Sequence, residues 1–326
     1  MIAVSWTKYG PPDVLQLKEV EKPVPSDNEL LVMVHAATVN RTDCATIRAK
    51  PFFMRLVTGL FKPKKQIPGS EFAGEIEAVG RKVLSFQVGD KVFGFDGEGA
   101  GSQAQYLKIS EDKAITMPEG ITYEQAAASS EGAHYAYNFI NKVDLQKGQN
   151  VLVNGATGAI GSAAVQLLKY FDVNVTAVCA TKNIELVKQL GASKVIDYTK
   201  ENFTNDDGKY NCVFDAVGKS SFLKCMKLLR PGGVYISSDL GYMSQNIYLP
   251  LITPMISRLL CNKKTVFPVP TDINRSLHLI KKLIGQGKYN SVIDRKFSLE
   301  QIIEAYKYVE KGQKTGNVVI TVEHET

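Results

Sequence analysis

The stretch that most constrains this chain is Val151-Leu152-Val153-Asn154-Gly155-Ala156-Thr157-Gly158-Ala159-Ile160-Gly161, followed by Ser162-Ala163-Ala164-Val165-Gln166-Leu167. The apolar run suits a buried strand, the glycines a tight turn, and the alanine-rich run after them has helical spacing. A strand turning sharply into a helix belongs to a β-α-β unit, and here strands and helices go on alternating. Residues 173–178, 194–196, 212–214 and 234–237 are β-rich. Residues 162–170, 184–190 and 222–229 between them suit helices, the second stopped by Gly191 and the third by Pro231-Gly232-Gly233. Strict alternation of this kind predicts a parallel, doubly wound α/β sheet.

Read as Ala-x-Gly-x-x-Gly, the turn is a dinucleotide fingerprint with Ala156 in place of the first glycine. Gly158 would let backbone N–H groups approach a pyrophosphate, Gly161 would let the helix pack on its strand, and the helix N-terminus would supply partial positive charge. Ala156, Thr157, Gly158, Ala159, Ile160 and Gly161 are therefore cofactor-binding candidates; the alternative is a glycine turn that only packs. An NAD site usually places an acid about 20 residues further on, at the end of the second strand. Here that place reads Val178-Cys179-Ala180-Thr181-Lys182-Asn183, with no acid. Thr181 and Lys182 suit a 2′-phosphate, which favours NADPH, although a lysine also commonly opens a surface helix.

The flanking sequence differs in rhythm. Residues 1–120 are short apolar runs broken by Gly and Pro, as in an antiparallel β domain, and residues 123–140 are alanine-rich with helical spacing. The last 50 or so residues offer helices at 277–284 and 299–310 and one strand at 318–322, which needs a sheet to join. The expected division is residues 1–122 with 268–326 as one domain and 123–267 as the nucleotide domain; 326 residues suffice for two cores. The net charge of +6 is scattered without a basic run, which argues against nucleic-acid binding. Five cysteines without a CxxC spacing suggest neither a disulfide framework nor a thiolate metal site. The start lacks the pattern of a secretory signal, and no stretch approaches the roughly 18 apolar residues of a membrane span, so a cytoplasmic protein without membrane partners is expected.

Along nearly its whole length the chain resembles the zinc-free quinone oxidoreductase branch of the medium-chain dehydrogenase/reductase superfamily. The matching text is Val39-Asn40, Pro68-Gly69-Ser70-Glu71-Phe72-Ala73-Gly74, Val88-Gly89-Asp90-Lys91-Val92, the glycine turn, Leu190-Gly191-Ala192, Val195-Ile196-Asp197-Tyr198, Phe214-Asp215-Ala216-Val217-Gly218 and Leu229-Arg230-Pro231-Gly232-Gly233. The resemblance implies a GroES-like partly open β-barrel domain beside a Rossmann domain, with the cofactor in the cleft between them. It further implies contacts from Tyr198 to the adenosine end, from Val217 and Gly218 to the ribose, and from Leu240 and Gly241 to the nicotinamide end.

Zinc-dependent relatives read Cys-Arg-Thr-Asp and Gly-His-Glu where this chain reads Asn40-Arg41-Thr42-Asp43 and Gly69-Ser70-Glu71, and no cysteine lies between Cys44 and Cys179. No metal site is expected. By resemblance Asn40 faces nicotinamide or substrate, or else hydrogen-bonds within the barrel. Asp43 reads as structural. The tyrosine often found just after the asparagine is replaced by Cys44-Ala45, and the Gly-Lys-x-Val tail by Gly316-Asn317-Val318-Val319, so Asn317 can at best hydrogen-bond. Tyr242 is a second donor candidate. His134 is either a proton donor or a packing histidine.

The expected activity is hydride transfer from NADPH to an apolar quinone or α,β-unsaturated carbonyl, held by the apolar segments 51–61 and 242–270. The alternatives are a zinc-free alcohol or aldehyde reductase and an NADPH-binding protein without turnover. Relatives in this branch suggest a homodimer through an edge strand.

Overall fold

Glycine, proline and β-branched runs break the N-terminal part into strands β1 (Ile2–Ser5), β2 (Gln16–Glu19), β3 (Glu29–Val39), β4 (Glu71–Val79), β5 (Lys91–Phe95), β6 (Tyr106–Ser110) and β7 (Ala114–Thr116). Helices α1 (Arg41–Arg48), α2 (Met54–Thr58) and α3 (Tyr123–Ala127) are short. The computed structural model describes residues 1–52, 54–239, 241, 245–256 and 258–324, and only the backbone of residue 57. It divides into two compact units, Met1–Glu131 with Asp272–Thr326, and Gly132–Thr271.

The second unit follows helix α4 (Glu131–Asn141) with β8 (Asn150–Asn154), α5 (Ala159–Tyr170), β9 (Asn174–Cys179), α6 (Ile184–Leu190), β10 (Lys194–Asp197), β11 (Tyr210–Asp215), α7 (Phe222–Cys225), β12 (Leu229–Ser237), α8 (Gln245–Ile252) and β13 (Lys264–Val266). The strands pair in parallel in the order β10-β9-β8-β11-β12-β13. β8 is in the interior of the sheet, which is why Val151, Leu152 and Val153 form an unbroken buried run rather than an alternating one. Leu152, Val178, Val213, Phe222 and Tyr235 share one core cluster.

The C-terminal part, α9 (Ile273–Gly285), β14 (Ile293–Ser298), α10 (Ile302–Glu310) and β15 (Asn317–Thr321), belongs to the first unit. β15 pairs antiparallel with β3 and parallel with β14, giving a seven-stranded sheet β14-β15-β3-β4-β5-β7 with β6 also on β3. Val4, Trp6, Leu30, Phe72, Ile302, Tyr306 and Ile320 fill its core. The architecture is thus a GroES-like partly open barrel and a Rossmann sheet.

One helical expectation is divided. Residues 123–140 form two helices rather than one, because the chain breaks before Glu131, whose N–H is drawn to the carboxylate of Glu71 at 2.5 Å. Among the described residues no helix is long and apolar enough to cross a membrane.

Candidate functional site

From β8 the parallel sheet winds one way through β9 and β10 and the other way through β11, β12 and β13. The carboxyl ends of β8 and β11 therefore flank the crevice in which an open α/β sheet receives a ligand. At the end of β8 Gly155 turns the chain with φ of 77°, and the buried Ala156 donates its N–H to the Val178 carbonyl at 3.1 Å. α5 begins with Gly158 as its N-cap; no side chain caps it, and its first turn carries no acid. The first N–H groups of a helix have no intrahelical acceptor and share the positive end of its dipole, so Thr157, Gly158, Ala159, Ile160 and Gly161 form an end suited to an anion.

Asp215, at the end of β11, fixes the neighbouring loop. Its carboxylate is fully buried; Oδ1 accepts from Asn154 Nδ2 at 3.0 Å and from the N–H groups of Val217 and Gly218 at 3.3 and 3.1 Å. Oδ2 accepts from the Ser220 N–H at 3.0 Å and from the Tyr235 hydroxyl at 2.9 Å. This ties β8 to β11 and sets Val217 against Gly155, where a Cβ would come within 2.3 Å of Val217 Cγ1. Past β12, Gly241 donates its N–H to Asp239 at 2.8 Å. Leu240 and Tyr242 lie outside the described residues.

Thr181 and Lys182 follow β9, and beside them stands an acid that the sequence reading missed. β10 pairs in register with β9, so Asp197 lies opposite Cys179. The Thr181 hydroxyl donates to the Asp197 carboxylate, which also accepts the Thr199 N–H at 3.0 Å and the Thr199 hydroxyl at 2.7 Å. These bonds, Thr181's first, hold the Asp197 carboxyl below its usual range. Lys182 is exposed and has no ion-pair partner among the described residues, which leaves it as the free cation at this strand end. Tyr198 is 59% exposed, with its N–H on the Cys179 carbonyl at 3.1 Å. The available signal was that the strand Val195-Ile196 ends on an aspartate.

In the first unit, residues remote in sequence converge on Asn40, which precedes α1. Its backbone N–H donates to Asp43 at 2.7 Å. Its side-chain amide donates to Glu71 at 2.7 Å and to Glu131 at 3.2 Å, and its Oδ1 accepts from Lys314 Nζ at 3.2 Å. Glu71 also accepts the Thr38 hydroxyl at 2.5 Å, and Glu131 the Ser70 hydroxyl at 3.3 Å. Asn40, Asp43, Glu71 and Glu131 are all buried. The Asn40 amide thus hydrogen-bonds within the first unit, the second of the two expectations for this position, because two buried carboxylates need its hydrogens.

Burial, reinforced by the charge of Glu131, pushes Asp43 up to about 8, and burial followed by Glu131 pushes Glu71 up to about 8. Burial also raises Glu131, against the hydrogen bonds of Thr42, Asn40 and Ser70. Burial thus favours the protonated form of these carboxyls. Lys314 is partly exposed; desolvation lowers its ammonium to about 8, opposed by Glu71, Glu131 and Asp294.

The remaining candidates are scattered. Asn317 is buried in the first unit, its Nδ2 donating to the carbonyls of Ala128 and Val292 at 3.1 Å each, while its Oδ1 has no partner among the described residues. His134 lies in the second unit, 1% exposed, with Asn138 donating to its backbone carbonyl at 2.9 Å. The two apolar segments leave Phe52, Leu56 and Phe61 exposed in the first unit and Leu251, Met255 and Leu259 exposed in the second.

Residues 26–119 match the alcohol dehydrogenase GroES-like domain family and residues 190–320 the zinc-binding dehydrogenase family. The chain is 32% identical to a 2-methylene-furan-3-one reductase of Solanum lycopersicum, over 98% of this chain and 79% of that protein. It is 29% identical to a chloroplastic NADPH-dependent alkenal/one oxidoreductase of Arabidopsis thaliana, with the same two coverages. Among solved structures, the quinone oxidoreductase from Coxiella burnetii superposes with a TM-score of 0.87 at 26% identity, over 99% of each chain. Similarity at this level runs through both units and nearly every residue, and by it the chain belongs to the quinone oxidoreductase branch of the medium-chain dehydrogenase/reductase superfamily.

Proposed function

We propose that this chain is a zinc-independent reductase that transfers a hydride from NADPH to an uncharged quinone or α,β-unsaturated carbonyl. The observation that carries the reading is the Asn40 cluster. Where zinc-dependent relatives place two metal ligands, this chain has an amide donating into Glu71 and Glu131 and a serine hydroxyl donating into Glu131. An amide N–H is a donor without a lone pair for a metal, and the amide oxygen faces an ammonium. Among the described residues no group of three or more His, Cys, Asp or Glu is arranged to hold a metal ion. This donor set does not fit zinc. The acceptor class is supported by the activities for which the relatives are named, a furanone reductase and an alkenal/one oxidoreductase.

The second unit fits a dinucleotide. The uncapped start of α5, from Ala156 through Gly161, would hold the pyrophosphate, Val217 and Gly218 the ribose, Tyr198 the adenosine end, and Gly241 with Leu240 the nicotinamide end. In the first unit Asn317 remains a hydrogen-bonding candidate of this reading, its Oδ1 having no partner among the described residues. When bound, NADPH supplies the hydride; the protein contributes orientation and a proton. Cytoplasmic location and a homodimer through an edge strand, β10 or β13, belong to the same reading.

Lys182 is expected to select the cofactor. A hydrogen bond to a charged group is worth roughly 1.5–3 kcal/mol, so Lys182→Ala should weaken NADPH about 10- to 100-fold and leave NADH nearly unchanged. Kinetics with enones, quinones and simple aldehydes check this and the reading together. Equal losses for both cofactors would assign Lys182 to general electrostatics. NADPH binding without oxidation by any acceptor would favour the non-catalytic alternative, and turnover confined to simple aldehydes the alcohol/aldehyde reductase.

A further inference from the structure

Reduction of an enone or quinone consumes a hydride and then a proton, and the source of that proton is open. Asn40 is a poor source: its amide hydrogens are directed at Glu71 and Glu131, and an amide does not release a proton at neutral pH. Asp43, Glu71 and Glu131, all bonded to Asn40, are buried, and burial pushes the Cys44 thiol far above its usual range. Lys314 differs from all of these in being both part of the cluster and partly exposed.

The chain holds Lys314 in place from both sides. The segment between α10 and β15 is fastened by the Thr315 N–H, which donates to Asp294 at 3.1 Å. Gly316 adopts φ of 76° against the Val292 carbonyl, where a Cβ would come within 2.1 Å of the oxygen. From this loop the Lys314 ammonium donates to Asn40 Oδ1 at 3.2 Å and to the Gly316 carbonyl at 2.5 Å. An ammonium has three N–H donors, so these two bonds leave one for a substrate atom.

We propose that Lys314 is the proton donor of the reduction, held by Asn40 and the Gly316 carbonyl. The proposal rests on the reading that the chain reduces enones or quinones. In the step, a hydride from a reduced nicotinamide bonds to the β-carbon of an enone, and the C=C electron pair moves through the conjugated system onto the carbonyl oxygen. The oxygen takes a proton from Lys314: the N–H bond breaks, an O–H bond forms, and the nitrogen keeps the electron pair. Solvent returns a proton to the amine, and the enol tautomerises to the ketone. The nicotinamide is oxidised and the acceptor reduced by two electrons.

The charged and titratable groups around Lys314 are Asp43 and Cys44 on α1, Glu71 on β4, Glu131 at the start of α4 and Asp294 on β14. Desolvation outweighs their attraction and brings the ammonium to about 8, in the range where a general acid works best near neutral pH. An acid must be protonated to act, so kcat should fall as pH rises through about 8.

The test compares the wild-type chain with Lys314→Arg, which keeps the charge but does not release a proton, and with Lys314→Gln. Both variants should lose about 10²- to 10⁴-fold in kcat with an enone, keep the dissociation constant for NADPH, and lose the alkaline fall. In the protein without cofactor, NMR titration of lysine amines should show one amine titrating near 8 in the wild type and none there in Lys314→Arg. Wild-type kcat and pH profile in Lys314→Arg, or no lysine amine titrating below the ordinary range, would overturn the assignment while leaving the reductase reading standing. A wild-type chain that reduces no enone or quinone would overturn both.

Discussion

Asp215→Ala should cost the Rossmann unit about 4 kcal/mol or more, among the largest effects of any single substitution in this chain. The carboxylate accepts from Asn154, Val217, Gly218, Ser220 and Tyr235, and it has no exposure to water. Its removal leaves five donors without their acceptor, three of them in buried bonds from Asn154, Ser220 and Tyr235 that cost roughly 1–3 kcal/mol each where no water reaches them, and relaxation recovers part of the sum. Tyr235→Phe deletes one of those donors together with its bond and should cost about 1 kcal/mol. Denaturant unfolding followed by circular dichroism measures both. A loss below about 1 kcal/mol in Asp215→Ala would mean that the loop after β11 is not held as described.

Gly161→Ala should remove both stability and NADPH affinity, whereas Gly158→Ala should remove mainly affinity. A Cβ on Gly161 would stand 2.0 Å from the Gly155 carbonyl oxygen and 2.9 Å from Ala156 Cα, both of them backbone, so the whole turn must shift. Such overpacking costs roughly 1–3 kcal/mol and displaces the N–H groups that would meet the pyrophosphate. At Gly158 the nearest atom to an added Cβ is 3.8 Å away and φ is −72°, so an alanine fits the fold at a cost of at most about 1 kcal/mol for a poorer helix cap. Its methyl would occupy the space through which the ligand approaches, and the loss of one charge-assisted hydrogen bond corresponds to about 10- to 100-fold. Thermal melts paired with cofactor titrations separate the two effects. Unchanged NADPH binding in Gly158→Ala would place the pyrophosphate elsewhere.

What was legible in the sequence was whatever short-range pattern encodes. Strand-turn-helix alternation announced the parallel sheet, and the glycine spacing announced the start of α5, because both depend on neighbours a few residues apart. The split between α3 and α4 was not visible, since it depends on a bond from residue 131 to residue 71. β13 and β14 also escaped the pattern reading; β13 has three residues, and β14 has no fully buried position. The carboxylate cluster draws on positions 40, 43, 71, 131 and 314, a separation that no local pattern records. Asn40 was found through resemblance to other proteins, but its partners were not. Lys314 was overlooked because a lysine was sought at position 317, where the chain has asparagine. Asp197 was overlooked because the acid was sought at the end of β9, whereas it stands on the adjacent strand.

Deuterium tracing separates hydride addition at the β-carbon of an enone from reduction of its carbonyl. The chelator-treated protein is incubated with NADPH carrying deuterium at C4 and a simple enone, and the product is examined by NMR and mass spectrometry. Undiminished turnover without metal, a saturated ketone, and one deuterium at the former β-carbon are expected. An allylic alcohol with deuterium at the carbonyl carbon, or turnover that vanishes with the chelator and returns with zinc, would contradict the proposed function.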